Sequence, residues 1–210
     1  QVSIEAESDI LTKQVGDKAE FTSQSDITTG AIGKGSIIKS NHDVHTGNVG
    51  AASNLSSLGT MEVGDIGDNS VLVSRYNMET SSVGNNVKIT SRGSFEGESI
   101  GDDTEITSTY NLEAGNVGKR ARITSTGSLA LGNVGENSEL ESRYNATLKD
   151  IADQVKITTD GSLELGDIGA GSELTSRYNI TGGNVEKRAT LTANGSIEIK
   201  NVGEQATIES

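Results

Sequence analysis

The chain is 210 residues long, with 32% apolar and 3% aromatic residues and with no Pro, Cys or Trp. Its formal net charge of −13 argues against nucleic-acid binding, which needs clustered Lys and Arg to replace the counterions of the phosphates. The lack of cysteine excludes disulfides, and no apolar stretch is long enough to predict insertion into a membrane.

A repeat of 17 residues runs through the whole sequence. An aliphatic residue, followed by Gly in most copies, returns at this spacing twelve times, at Val15, Ile32, Val49, Ile66, Val83, Ile100, Val117, Val134, Ile151, Ile168, Val185 and Val202. A fixed short period is typical of a solenoid, in which each repeat contacts only its neighbours. We number each repeat from this aliphatic residue as position 1.

Each repeat contains, in chain order, three positions that are expected to point inward. Position 7 is apolar in every copy, with small residues at positions 5 and 9 and more polar ones between, which is the alternation of a half-buried strand. Position 13, apolar from Ile10 to Ile197, centres a second short strand, and position 1 centres a third. The 26 glycines are expected to supply the tight corners between these strands.

These columns predict an all-β fold, a single parallel β-helix of triangular cross-section with about 12 coils of 17 residues. Right-handed coiling is expected from the general preference of parallel crossovers. We expect one continuous β-solenoid over residues 1–210, with less regular coils in 1–65 and regular two-coil repeats in 66–210. At about 4.8 Å per coil, twelve coils form a rod of about 58 Å.

A second period of 34 residues spans two coils. Position 11 alternates between Gly and Tyr, and the tyrosines are Tyr76, Tyr110, Tyr144 and Tyr178. The written motif is Ser-Arg-Tyr-Asn, or Ser-Thr-Tyr-Asn at 108–111, alternating with Gly-Ser. One interpretation is structural, with each ring covering the neighbouring Gly as in aromatic rescue of sheets. The other is an aromatic stripe that binds sugars.

Position 6 carries charges of alternating sign on successive coils. Its members are Lys88, Glu105, Arg122, Glu139, Lys156 and Glu173. Stacked opposite charges contribute little each, but the wrong register would place like charges together. The column is therefore predicted to specify register and not to catalyse a reaction.

Position 14 places like charges on four successive coils, at Glu62, Glu79, Glu96 and Glu113. Repulsion in this column could be relieved by a divalent cation such as Ca²⁺, or the column could form a solvated acidic face. The Gly-rich Asp motifs of calcium-loaded β-rolls are missing, which favours the solvated face, and no metal site is predicted. The two histidines, His42 and His45, lack a clear third ligand.

Two stretches, Gly-Ser-Leu-Ala-Leu-Gly-Asn-Val-Gly at 127–135 and its counterpart at 161–169, resemble the repeats of filamentous haemagglutinin-type adhesins and other bacterial surface passengers. This resemblance implies a secreted or cell-surface rod that displays or spaces binding regions. The short triangular coils also resemble bactofilins, which implies a cytoskeletal filament built by end-to-end polymerisation.

Two functional hypotheses follow. The leading one is a non-enzymatic rigid stalk or passenger segment of an extracellular or cell-surface adhesin-type protein. The alternative is a structural filament subunit, in the cytoplasm or in a matrix, that stacks through uncapped end coils. The expected partners are adjoining coils of a longer chain or further copies of this chain, with carbohydrate or another surface ligand as a further hypothesis. No enzymatic activity and no cofactor is predicted, because the carboxylates repeat along the coils and do not converge.

Overall fold

The computed structural model describes residues 2–210, which form strands and turns without a helix. The strands are β1 (Ser3–Ala6), β2 (Ile10–Leu11), β3 (Glu20–Ser23), β4 (Ile27–Thr29), β5 (Ile37–Ser40), β6 (Val44–Thr46), β7 (Asn54–Ser57), β8 (Met61–Val63), β9 (Val71–Ser74), β10 (Met78–Val83), β11 (Lys88–Ser91), β12 (Phe95–Ile100), β13 (Glu105–Ser108), β14 (Leu112–Val117), β15 (Arg122–Ser125), β16 (Leu129–Leu131), β17 (Glu139–Ser142), β18 (Ala146–Thr147), β19 (Lys156–Thr159), β20 (Leu163–Glu164), β21 (Glu173–Ser176), β22 (Ile180–Thr181), β23 (Asn184–Val185), β24 (Thr190–Ala193), β25 (Ile197–Glu198), β26 (Asn201–Val202) and β27 (Thr207–Glu209).

Two long parallel sheets run the length of the molecule. The first has 13 strands and contains position 7 of every coil; the second has 12 strands and contains position 13. Every strand pairs with the strand one coil before or after it, with partners 17 residues apart, as in the pairing of Ile89 with Ile106. The structure thus confirms the all-β parallel solenoid of about 12 turns, while its handedness stays a prediction.

The third face is narrower than the sequence predicts. Position 1 forms mostly isolated parallel bridges, such as Val15 with Ile32, and becomes a two-stranded sheet only at β23 and β26. In the three coils of β10, β12 and β14, the second sheet instead continues into this face as far as Val83, Ile100 and Val117. Corners lie on both sides of position 1, which leaves little room for a strand of its own.

The interior is filled by stacked side chains. Positions 1, 7 and 13 are buried along the rod, as predicted, and Phe21 and Phe95 are among the largest fully buried side chains. Position 15 is a further inward column that the sequence analysis did not identify, and it holds the buried residues Val63, Leu131 and Leu148. The signal in the sequence was its offset of two residues from position 13, because residues i and i+2 of a strand point to the same face.

Glycine supplies corner residues, but it is not the usual residue where the corner backbone is left-handed. Position 4 adopts a left-handed backbone in all twelve coils, but only Gly35 and Gly171 are glycines there. The other ten residues have φ of 53–60° and are Lys18, Ala52, Asn69, Asn86, Asp103, Arg120, Asn137, Gln154, Arg188 and Gln205. Each non-glycine residue in this conformation stores roughly 1 kcal/mol or more of strain, less for Asn and Asp.

Most glycines are instead required by the close stacking of coils. A Cβ at Gly50 would lie 2.6 Å from the carbonyl carbon of Gly33 and nearer still to the backbone nitrogen of Lys34. A Cβ at Gly161 would lie 2.5 Å from the backbone nitrogen of Asn145 in the coil before it. Glycine therefore serves at positions 2, 11 and 16 because neighbouring backbones approach there, without needing an unusual φ.

Ala52→Gly is expected to stabilise the protein by about 0.5–1 kcal/mol, since relief of left-handed strain exceeds the added entropy of the unfolded chain. Urea denaturation followed by circular dichroism measures the change. The neighbouring Ala51→Gly, at a position without positive φ, is the control and should destabilise by a similar amount. Equal effects of the two substitutions would contradict the strain at position 4.

Candidate functional site

Side-chain amides and carboxylates connect successive coils at three corners, at positions 3, 12 and 17. At each corner an Asn or Asp oxygen accepts the backbone N–H of the residue 17 positions later. The N–H of Asn85 donates to Asp68 at 2.7 Å, that of Ser94 to Asn77 at 2.9 Å, and that of Asn184 to Asp167 at 2.7 Å. These three columns, which we call the Asx ladders, satisfy corner donors that have no place in either sheet. The sequence analysis missed them, although Asn and Asp recur at these positions.

The Asx ladder at position 17 makes the stability of the protein depend on pH through Asp167. The backbone N–H of Asn184 is the main cause that lowers the pKa of the Asp167 carboxyl below its usual range, with a further contribution from the Asn184 side-chain amide. A lowered folded-state pKa means that the carboxylate stabilises the protein above the unfolded pKa, near 3.9, and that this contribution is lost as pH falls through the folded value.

On acidification below about pH 4, Asp167→Asn should therefore lose less stability than the wild type, because the amide keeps the acceptor oxygen and does not titrate. The measurement is the urea midpoint at neutral pH and at pH 2–4. Asp167→Ala, which lacks the acceptor, should be less stable than Asp167→Asn at neutral pH. An unchanged acid profile in Asp167→Asn would assign the pH dependence to other groups.

The charged column at position 6 is stacked in register along the first sheet. Lys88 lies 3.0 Å from Glu105 and Arg122 lies 3.2 Å from Glu139, measured between ion-paired atoms. Lys156 and Glu173 are also neighbours in the register, but no ion pair joins them in the described residues. The charges alternate as the sequence indicates, and whether they specify register stays a prediction.

Two further columns with charged pairs lie at positions 3 and 4, which the sequence analysis did not identify. Arg120 forms two hydrogen bonds to Asp103, at 2.6 and 2.7 Å, and Lys119 lies 3.1 Å from Glu136. The hydrogen bond from Arg120 holds the pKa of the Asp103 carboxyl below its usual range. Opposite charges 17 residues apart, as at Asp103 and Arg120, were the signal for these columns in the sequence.

The acidic column at position 14 is fully outward. Glu62, Glu79, Glu96 and Glu113 are exposed and paired in register on β8, β10, β12 and β14. Together with position 15 of the same coils they line an open groove of about 760 Å³. In the part of the chain that the structure describes, no three His, Cys, Asp or Glu side chains converge to hold a metal ion.

The two histidines lie beside acids. His45 Nδ1 is 3.1 Å from Glu62, and His42 Nδ1 is 4.0 Å from Asp26. Each histidine has one acidic neighbour in an adjacent coil, which is the arrangement of a surface ion pair.

The Ser-Arg-Tyr-Asn motif divides into inward and outward residues. Ser74 and Ser91 are buried, and their hydroxyls both donate to the carbonyl of Tyr76, at 2.8 and 2.9 Å. The Asn of the motif accepts the N–H of the next coil through Oδ1, as Asn145 does from Ser162 at 2.9 Å. The serine and the asparagine oxygen therefore hold the corner.

The arginines and tyrosines of the same motif point into solvent. The four tyrosines are 57% to 64% exposed. The glycines between them are accounted for by the backbone of the coil before, as at Gly161, so ring coverage is not needed to explain them. Whether the rings cover the glycines or bind sugars stays a prediction at this stage.

No protein-family model, no curated protein and no solved structure matches this chain. The resemblances to adhesin repeats and to bactofilins thus receive no support from relatives. Across residues 2–210 there is also no helix with the length and apolar character needed to cross a membrane.

Proposed function

We propose that this chain is a non-enzymatic rigid rod, the stalk or passenger segment of a secreted or cell-surface adhesin-type protein. The observation that carries the proposal is the stacking itself: two continuous parallel sheets join every coil to the next, around a filled core. Bending or stretching such a rod would break several backbone hydrogen bonds at once, and each coil also depends on its neighbours for burial.

The inward columns are uncovered at the first and last described coils. Val202 and Ile208 occupy inward columns but are 54% and 37% exposed, because no coil covers them. At the other end the hydroxyl of Thr12 is shielded from solvent without a hydrogen-bond partner. The equivalent hydroxyls of Thr46 and Thr80 donate to a carbonyl 16 residues earlier, in the preceding coil.

Those same surfaces favour the alternative function, a filament in which copies stack end to end, since exposed strand edges at both ends promote pairing. Head-to-tail stacking in register would place Ile208 over Ile4, as the core requires. It would also place Glu209 over Glu5, which repel. This repulsion disfavours self-stacking in that register.

Negative-stain electron microscopy over a concentration series tests both functions. Rods of about 58 Å at every concentration are the expected result for a stalk segment. Unbranched filaments that lengthen with concentration would assign the chain to the filament class. Particles without rod shape would overturn both proposals.

A further inference from the structure

Four exposed tyrosines form a line along the corner between the two sheets, which we call the tyrosine stripe. They occupy position 11 of every second coil and are Tyr76, Tyr110, Tyr144 and Tyr178. Glycine takes the same position in each coil between them, so no other side chain separates one ring from the next. Tyrosine is enriched at the energetic centres of binding surfaces. The stripe is therefore a candidate binding surface.

The fold uses the backbone of this corner but not its rings. The N–H of Gly93 donates to the carbonyl of Tyr76, and the N–H of Tyr110 donates to the carbonyl of Gly93, both at 3.2 Å. The Asn after each Tyr uses its side-chain oxygen in the Asx ladder. In residues 2–210, however, the tyrosine hydroxyls and the amide nitrogens of these asparagines make no hydrogen bond. These outward groups are therefore available to a ligand.

The charges beside the stripe do not select an ion. The nearest ionisable columns are positions 10 and 14, because position 12 alternates between Asn and Ser in these coils. From the coil of Tyr76 to that of Tyr178, position 10 holds four arginines and one aspartate, and position 14 holds four glutamates. The members are Arg75, Arg92, Arg143, Asp160 and Arg177 at position 10, and Glu79, Glu96, Glu113 and Glu164 at position 14. Because the two columns nearly balance, the stripe favours a ligand without net charge.

The spacing of the tyrosines selects the form of the ligand. Consecutive tyrosines, such as Tyr110 and Tyr144, lie two coils apart, about 10 Å along the rod. In a β-1,4-linked chain of sugars each ring is turned over relative to the one before it, so the same ring face returns at every second sugar, over a closely similar length. Because the sheets hold the tyrosine backbones in place, a chain of matching period contacts several rings at little cost in ordering the protein.

We propose that the tyrosine stripe binds a neutral, extended β-1,4-linked polysaccharide with equatorial substituents, the class that contains β-1,4-glucan and β-1,4-linked polymers of N-acetylglucosamine. The rings pack against the apolar C–H faces of alternate sugars. The amide nitrogens of the asparagines after the tyrosines donate hydrogen bonds to sugar oxygens, and they belong to Asn77, Asn111, Asn145 and Asn179. This proposal deepens the rod function, on which it rests, since the rigid stack of coils sets the spacing.

Affinity electrophoresis with soluble polymers in the gel tests the class of ligand. Hydroxyethyl cellulose and glycol chitin represent the two β-1,4-linked polymers, dextran represents an α-linked glucan, and hyaluronan represents an acidic glycan. At least one of the first two polymers should retard the wild-type chain, and dextran and hyaluronan should not. No retardation by either β-1,4-linked polymer, or equal retardation by dextran or hyaluronan, would overturn the proposal.

The double variant Tyr110→Ser/Tyr144→Ser should weaken the retardation at least tenfold, because it removes the two central rings. Leu11→Ser/Val71→Ser is the matched control, since it also removes two exposed apolar side chains, which are 79% and 39% exposed and lie outside the stripe. The control should change the binding by less than twofold. Equal losses in the two double variants would show that the tyrosine rings do not make the contact.

Isothermal titration calorimetry with cello-oligosaccharides tests the spacing. Cellobiose is long enough to cover one tyrosine of the stripe, whereas cellopentaose is long enough to cover three. Cellopentaose should therefore bind the wild-type chain at least tenfold more tightly than cellobiose, and Tyr110→Ser/Tyr144→Ser should lose most of this difference. Equal affinities of the two oligosaccharides for the wild type would contradict the match between the coils and the sugar repeat.

Electron microscopy of the same preparations separates this proposal from the rod function. Rods that bind neither polymer contradict only the polysaccharide ligand, while a preparation without rods contradicts the rod function as well. Rods that associate in pairs, and that become single in Tyr110→Ser/Tyr144→Ser without retardation of the wild type by any polymer, would assign the stripe to contact between copies of this chain.

Discussion

Gly50→Ala is expected to lower the free energy of unfolding by about 1–3 kcal/mol, the usual cost of forcing atoms into a packed site. The new methyl group would meet the backbone of Gly33 and Lys34 in the coil before it. Unlike the end of a flexible side chain, this backbone cannot move aside without breaking hydrogen bonds that hold neighbouring coils together, such as that from the N–H of Gly50 to the carbonyl of Ile32. Urea denaturation monitored by circular dichroism gives the change.

Gly16→Ala is the matched control for this prediction. Gly16 also occupies position 2, but no atom lies within 4 Å of a Cβ placed there, because no described coil precedes it at that corner. We expect its stability to remain within about 0.5 kcal/mol of the wild type. Two equally destabilised variants would show that the residue type at position 2, and not the approach of the coils, sets the cost. Position 2 is Ala152 and Glu186 in two coils, so these coils accommodate a Cβ at this corner.

Ile106→Ala is expected to destabilise the protein by about 2–5 kcal/mol, which is the range for removing a large aliphatic side chain from a core. Ile106 is fully buried and is stacked in register between Ile89 and Ile123. The cavity would interrupt the column in the middle of the rod, where relaxation is limited by coils on both sides. A broadened urea transition is also expected, since two half-solenoids would then unfold with less coupling.

The same substitution at the end of the column is the control. Ile208 occupies position 7 in the last coil and is 37% exposed, so Ile208→Ala should cost much less than Ile106→Ala and leave the cooperativity of unfolding unchanged. A loss at Ile208 as large as at Ile106 would indicate that the end coil is covered in solution. That result would favour self-stacking over a monomeric rod.

The predicted strands agree with the structure where the hydrophobic pattern was strong. Positions 7 and 13 lie at the centres of the two sheets and position 1 is buried, as expected from residues such as Ile89, Phe95 and Ile151. The length of the third strand was overestimated, because the hydrophobic pattern does not show that corners on both sides limit position 1 to a single bridge in most coils. Position 15 was overlooked because only some coils place a large apolar residue there.

The candidate site was less predictable than the fold. Opposite charges at stacked positions could be identified from the sequence, but not which of them form ion pairs: Lys88 and Glu105 do, whereas Lys156 and Glu173 do not. The Ser-Arg-Tyr-Asn motif was also visible in the sequence. Only the structure shows that Ser74 is buried, that Tyr76 is exposed, and that the side-chain oxygen of Asn77 accepts a hydrogen bond from the next coil.

The sequence by itself determined the coil length, the stacking of equivalent residues and the principal inward columns. It could do so because a strict period of 17 aligns every apolar column at once, and any other register would expose them all. The tertiary structure alone decided how the corners are built: left-handed backbone at position 4, glycine where coils approach, and Asx ladders that satisfy the corner amides. These features depend on distances between neighbouring coils, and residues within one coil do not specify those distances.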